Sequence, residues 1–93
     1  MGITVALPSA LLPFAGGRSQ VKLEDRCRTV ADALEALGAR HAGVVDRVID
    51  ETGEVRRHVN VFVDGDDIRF LNGLGTALRP DSTIVIFPAV SGG

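Results

Sequence analysis

Apolar and polar residues alternate along four short stretches of the chain, residues 3–7, 20–23, 59–63 and 68–70. Because successive side chains of a β-strand point to opposite faces, a period of two predicts a strand at each of them. Residues 83–87 are apolar after an initial threonine, which predicts a central strand that is buried on at least one face.

In the segment after the second of these strands, apolar residues recur every three to four positions. These residues are Val30, Ala33, Leu34 and Leu37. This spacing places them on one face of an amphipathic helix. Thr29 is a suitable N-cap, Asp32 lies in the first turn, and Gly38 is the expected C-terminal stop. A second apolar cluster at 44–49 predicts one or two further helical turns.

The remaining segments are predicted to be loops and turns. Residues 8–18 form a long apolar connection, 50–57 a polar surface loop, and 71–82 a longer loop. Asp64-Gly65 is a strong turn signal. The order β-β-α-β-β-β, with the last strand central, predicts the β-grasp arrangement.

The predicted fold class is therefore α+β, a β-grasp with a mixed sheet of about five strands and one main covering helix. We expect residues 1–93 to form a single domain with a flexible C-terminal tail at 89–93, since 93 residues suit one modest core.

Composition excludes several classes of protein. A net charge of −2, from 10 basic and 12 acidic residues, argues against a nucleic-acid partner. A single cysteine, Cys27, excludes an internal disulfide and any metal site that needs two thiolates. No apolar run is long enough to cross a membrane, and the N-terminus lacks the basic start of a signal peptide. We expect a cytoplasmic protein that is a monomer when free.

The most informative feature is the ending Val90-Ser91-Gly92-Gly93. Glycine has no Cβ, so a thin Gly-Gly tail could enter a narrow channel of a partner enzyme and present its α-carboxylate. The alternative is a frayed end without a function. Cys27, between two arginines, is interpreted as incidental, and His41 and His58 have no partner at metal-ligand spacing.

These features resemble the MoaD/ThiS family of ubiquitin-like sulfur carriers. The resemblance rests on the strand order and on the ending Phe87-Pro88-Ala89-Val90-Ser91-Gly92-Gly93. Segments 12–17, 59–63, 66–70 and 73–74 are more similar to the actinobacterial carriers that deliver sulfide for cysteine biosynthesis.

The resemblance implies a protein co-substrate, not an enzyme. Gly93 would be adenylated and then thiocarboxylated by an E1-like partner, and Gly92 would be the thin approach residue. ATP would be used by that partner, and this chain would bind no cofactor or metal. A sulfur-accepting synthase, resembling a cysteine synthase or another enzyme, would be the second partner.

Family members also dock through an apolar patch of the sheet. The positions that match it are Phe87, more loosely Ile68 on the neighbouring predicted strand, and Leu7 with Pro8; Val90 and Ser91 would accompany the tail into the partner. The long insert between Val63 and Asp81 departs from the molybdopterin branch and affects this alignment. Other functions stay open: the small subunit of molybdopterin synthase, a sulfur donor for thiosugar or thiamine biosynthesis, and a ubiquitin-like modifier.

Overall fold

The computed structural model describes residues 2–24 and 26–88. Its elements, in chain order, are β1 Ile3–Ala6, β2 Gln20–Leu23, α1 Val30–Arg40, α2 Ala42–Val48, β3 Val59–Val63, β4 Asp66–Asp67 and β5 Thr83–Pro88. Three 3₁₀ turns lie between them, at Ser9–Ala15, Ile68–Phe70 and Gly73–Gly75. The predicted tail at 89–93 falls outside the described residues.

The five strands form one mixed sheet in the order β2-β1-β5-β3-β4. β5 lies in the middle, parallel to β1 and antiparallel to β3, and the other pairs are antiparallel. This topology confirms the predicted β-grasp arrangement and the central place of the last strand.

The core lies between one face of the sheet and the two helices. Every second strand residue points into it, so β1, β3 and β5 show regular alternation of buried and partly exposed positions. Its largest fully buried side chains are Ile3, Val5, Leu23, Val30, Leu37, Val44, Val48, Val61, Ile84 and Ile86. Because the chain has few aromatic residues, branched aliphatic side chains fill this layer.

The start of α1 is as predicted, but its end is not. Thr29 Oγ1 accepts a hydrogen bond from the Asp32 backbone N–H, and the Asp32 carboxylate accepts one from the Thr29 N–H, which together form a capping box. The helix passes Gly38 and ends at Arg40. Gly38 instead faces Val45 of α2: a Cβ there would lie 3.4 Å from a Val45 methyl, an ordinary van der Waals contact.

One loop prediction and one strand prediction are corrected. Residues 8–18 contain the 3₁₀ turn Ser9–Ala15, and the predicted strand at 68–70 is a 3₁₀ turn that follows the two-residue strand β4. The cause lies in Asp67, whose carboxylate accepts a hydrogen bond from the Arg69 backbone N–H at 2.9 Å and so caps a turn. The strand pairing ends there.

The Asp64-Gly65 turn is confirmed, since both residues have positive φ, 49° and 94°. Asp64 also joins the turn to the start of β5. Its carboxylate accepts hydrogen bonds from the Thr83 N–H at 2.9 Å and from the Ser82 hydroxyl at 2.8 Å. These bonds, the one from Thr83 first, lower the pKa of Asp64 below its ordinary 3.8.

We expect Asp64→Asn to destabilise the fold by about 1 kcal/mol at neutral pH, because a neutral amide replaces a charged carboxylate that accepts two hydrogen bonds. Asn still tolerates the left-handed backbone. Since folding lowers the pKa of Asp64, its contribution is complete above pH 3.8 and is lost as the pH falls through the folded pKa. The difference in unfolding free energy between wild type and variant should therefore shrink in acid. Urea unfolding at several pH values measures it; Asp66→Asn, an exposed neighbour, is the control, and a difference that persists unchanged in acid would contradict the assignment.

Candidate functional site

The face of the sheet that points away from the helices carries an aromatic pair. Phe62 of β3 and Phe87 of β5 lie diagonally across the two strands, with ring centroids 5.1 Å apart and an angle of 37° between the planes. Both rings are partly exposed. Phe87 is therefore not a core residue, which fits its predicted place on an apolar surface patch.

Two smaller apolar residues extend this surface. Val85 is paired with Phe62 and also with Ala6 of β1, and both Val85 and Ala6 are partly exposed. We call Ala6, Phe62, Val85 and Phe87 the outer-face patch. A contiguous apolar surface on a small protein is typical of a partner-binding site.

Two of the predicted patch residues lie elsewhere. Ile68 is 3% exposed and packs in the core, because the 3₁₀ turn that replaces the predicted strand directs its side chain inward. Leu7, 8% exposed, also belongs to the core, since it continues the inward-facing series of β1. Neither side chain can contact a partner on the outer face, and Phe62, which is not among the predicted patch residues, occupies the place next to Phe87.

Pro8 lies near Phe87, at the end of the sheet where β5 finishes. The two residues line a pocket of about 220 Å³, which we call the tail-root pocket because Pro88 is also in its wall. Its full lining is Pro8, Ala10, Leu11, Phe14, Arg47, His58, Val59, Ile86, Phe87 and Pro88. The wall is apolar except at Arg47 and His58.

Arg47 is fixed at the rim of this pocket. Its guanidinium carbon lies 3.5 Å from the centroid of the Phe14 ring, and its Nη1 donates a hydrogen bond to the Gly43 carbonyl at 3.0 Å. Gly43 itself lies under the ring, where a Cβ would approach Phe14 to 3.2 Å. The arginine is exposed and keeps other N–H groups for a ligand.

Other predicted candidates are placed as follows. Gly92, Gly93, Val90 and Ser91 lie outside the described residues. Cys27 is partly exposed in the segment before α1, and His41 lies between the two helices. Across residues 2–24 and 26–88, no three His, Cys, Asp or Glu side chains come together as a metal site would require. In the same two ranges, no helix has the length and apolar character needed to span a membrane.

The sequence model of the ThiS family matches residues 5–93, so the chain belongs to the ThiS family. Its relatives show that it is a sulfur carrier of the CysO type, as the resemblance in its sequence indicated. The chain is 35% identical to the sulfur carrier protein CysO of Mycobacterium tuberculosis over 95 residues, which cover 100% of both chains.

Two further relatives bear on function. A crystal structure of the BexX/CysO complex of Amycolatopsis orientalis contains a similar chain, with a TM-score of 0.87, 35% identity and coverage of 98% of this chain and 99% of that one. Small archaeal modifier protein 3 of Haloferax volcanii is 42% identical over 65 residues, 70% of each chain. Carriers and modifiers thus share this fold.

Proposed function

We propose that this sulfur carrier holds sulfur as a thiocarboxylate at Gly93, which an E1-like partner generates with ATP. The observation that carries the proposal is the combination of the CysO-type fold with a Gly92-Gly93 sequence that three residues separate from the end of its central strand. The chemistry requires no side chain of the carrier, since the partner supplies the reacting groups and binds the ATP.

The reaction has two steps. The Gly93 carboxylate attacks the α-phosphate of ATP and releases pyrophosphate, so the poor oxide leaving group is replaced by AMP. A sulfide equivalent then attacks the acyl carbon, the C–O bond to AMP breaks, and the thiocarboxylate remains. Its sulfur is ionised and is a soft nucleophile for the acceptor enzyme. Gly92 is the thin approach residue, and Val90 and Ser91 accompany it into the partner.

We propose cysteine biosynthesis as the pathway, with a synthase resembling a cysteine synthase as acceptor, in the cytoplasm, where ATP is supplied. The full-length similarity to CysO supports this choice. The complex of another CysO with BexX supports a carrier that serves a second enzyme as well. Molybdopterin, thiamine and thiosugar pathways are the alternatives that assays with their acceptor enzymes would detect.

Mass spectrometry of the intact protein tests the proposal. The carrier is incubated with the E1-like enzyme of its host, ATP and a sulfide source. We expect one oxygen to be exchanged for one sulfur, located at Gly93 by fragmentation, and no exchange when ATP is omitted. Failure of the complete mixture to label the carrier, with the enzyme active on a known carrier, would contradict the proposal.

A second candidate function is protein modification, which the similarity to an archaeal modifier favours. The same adenylate would then be attacked by a lysine amine to form an isopeptide bond. Cell extracts of the host, probed for this chain on denaturing gels, separate the two functions. Conjugates larger than the free protein would establish the modifier activity, and their absence together with thiocarboxylate would favour the carrier alone.

We expect the outer-face patch to contact the activating enzyme. Phe62→Ala should raise the KM of that enzyme for the carrier about tenfold, because the variant removes half of the aromatic pair. Phe70→Ala is the matched control, since Phe70 is 85% exposed but lies on a 3₁₀ turn and not in the patch. Rates of pyrophosphate release at varied carrier concentration give both values. A larger effect at Phe70 than at Phe62 would mean that the patch is assigned to the wrong surface.

A further inference from the structure

The tail-root pocket is a concave feature that adjoins the outer-face patch and shares Phe87 with it. It is walled by the turn Ser9–Ala15, by α2 and by the ends of β3 and β5, so four distant parts of the chain meet there. Ala10 stands exposed at its mouth, and Ile86 and Leu11 form apolar wall. The concave apolar shape suits a single inserted side chain.

The length of the tail brings a partner to this pocket. Under the proposed function the reacting residue is Gly93, five residues beyond Pro88, and five extended residues reach at most about 18 Å. An enzyme that reacts with the carboxylate of Gly93 must enclose that end of the tail. The reach of the tail therefore keeps the enzyme within about 18 Å of Pro88, one of the residues that line the pocket.

The basic residues of the pocket indicate which chemical group of the partner binds there. Arg47 and His58 are the two lining residues with titratable side chains, and both belong to basic residue types. Arg47 is held in place by Phe14 and the Gly43 carbonyl, so little side-chain entropy is lost when its free N–H groups bind. A planar guanidinium held in one orientation is suited to donate two parallel hydrogen bonds to a carboxylate.

We propose that the tail-root pocket receives an apolar side chain of the activating enzyme, and that a neighbouring carboxylate of that enzyme pairs with Arg47. This inference rests on the proposed function, because it takes the enzyme that adenylates Gly93 as the occupant. The pocket adds an anchor at the base of the tail, so it contributes to the affinity for the carrier and not to the chemical step.

Filling the pocket tests the apolar contact. Ala10→Phe should raise the KM for the carrier about tenfold and leave kcat within about twofold, because the new ring occupies the space of the inserted side chain. Ser9→Phe adds the same ring at the neighbouring exposed position outside the pocket and should change KM less than twofold. Pyrophosphate release is the readout, and circular dichroism confirms that both variants fold.

Removing the charge tests the carboxylate contact. Arg47→Gln should raise KM about tenfold, and Arg47→Lys should recover part of the loss because it keeps the charge. Arg57→Gln, the same change at an exposed arginine outside the pocket lining, should have less than a twofold effect. Equal increases in KM for the Arg47 and Arg57 variants would show that only the net charge of the carrier matters, and this would overturn the proposal.

The outcomes separate this inference from the proposed function. If wild-type carrier is not adenylated at all, the proposed function fails. If it is adenylated and Ala10→Phe and Arg47→Gln leave KM unchanged, only the pocket proposal fails. If Ala10→Phe instead lowers KM, filling the pocket favours binding, which contradicts the insertion of an enzyme side chain there and also overturns the proposal.

Discussion

A carrier with one residue added after Gly93 is expected to form no thiocarboxylate when it is incubated with the activating enzyme, ATP and sulfide. The added residue moves the reactive carboxylate about 3.5 Å further along the tail, and it puts an ordinary amide where the attack on ATP must occur. An amide nitrogen does not provide the carboxylate oxygen that the first step needs. Intact-mass measurement over several enzyme turnovers of the wild type shows the loss.

Gly93→Ala keeps the length of the tail and adds one methyl group. Since the proposed channel admits a backbone without a Cβ, we expect this variant to lose most of its adenylation while its unfolding midpoint stays unchanged. The matched control is Ser19→Ala, a change of similar size at an exposed residue outside the tail-root pocket. A tail-extended carrier that gains sulfur at the wild-type rate, with its extra residue still attached, would end the proposal.

Local pattern was sufficient to predict most of the fold. Alternation along residues 59–63 places three valines in the core, and the same alternation places Phe62 on the outer face with Phe87. The partnership of these two rings could have been inferred, because two neighbouring strands of a β-grasp sheet bring their outward residues together. The capping residues Thr29 and Asp32 act as predicted because a capping box is a local interaction.

The sequence-based predictions are wrong where contacts between distant residues, or hydrogen bonds of side chains, determine the local structure. Gly38 does not end α1, since the helical hydrogen bonds continue past it to the C-cap residue His41, whose backbone N–H donates to the Leu37 carbonyl. Ile68 turns inward because the Asp67 carboxylate caps a turn where periodicity indicated a strand. The contact of Arg47 with Phe14 joins residues that no spacing rule relates, so the tail-root pocket required the structure.

The largest stability effect is expected at Ile84, in the middle of the central strand. Its side chain is fully buried, and its strand neighbours are Val5 and Val63. Ile84→Ala should lower the free energy of unfolding by about 2–5 kcal/mol, because it removes buried methyl groups and leaves a cavity that the two flanking strands cannot fill. That is a large fraction of the roughly 5–15 kcal/mol that stabilises a domain.

Val85→Ala is the control for this change, since the next residue of the same strand points to the outer face and is only partly buried. It should cost clearly less, about 1 kcal/mol. Urea unfolding followed by circular dichroism measures both, and equal losses would contradict the two-faced sheet.

The effects of the two variants on adenylation should be reversed. At a temperature where both variants are folded, Ile84→Ala should leave the KM for the carrier unchanged, whereas Val85→Ala, which alters the outer-face patch, should raise it. Stability and partner recognition would then be assigned to opposite faces of one strand.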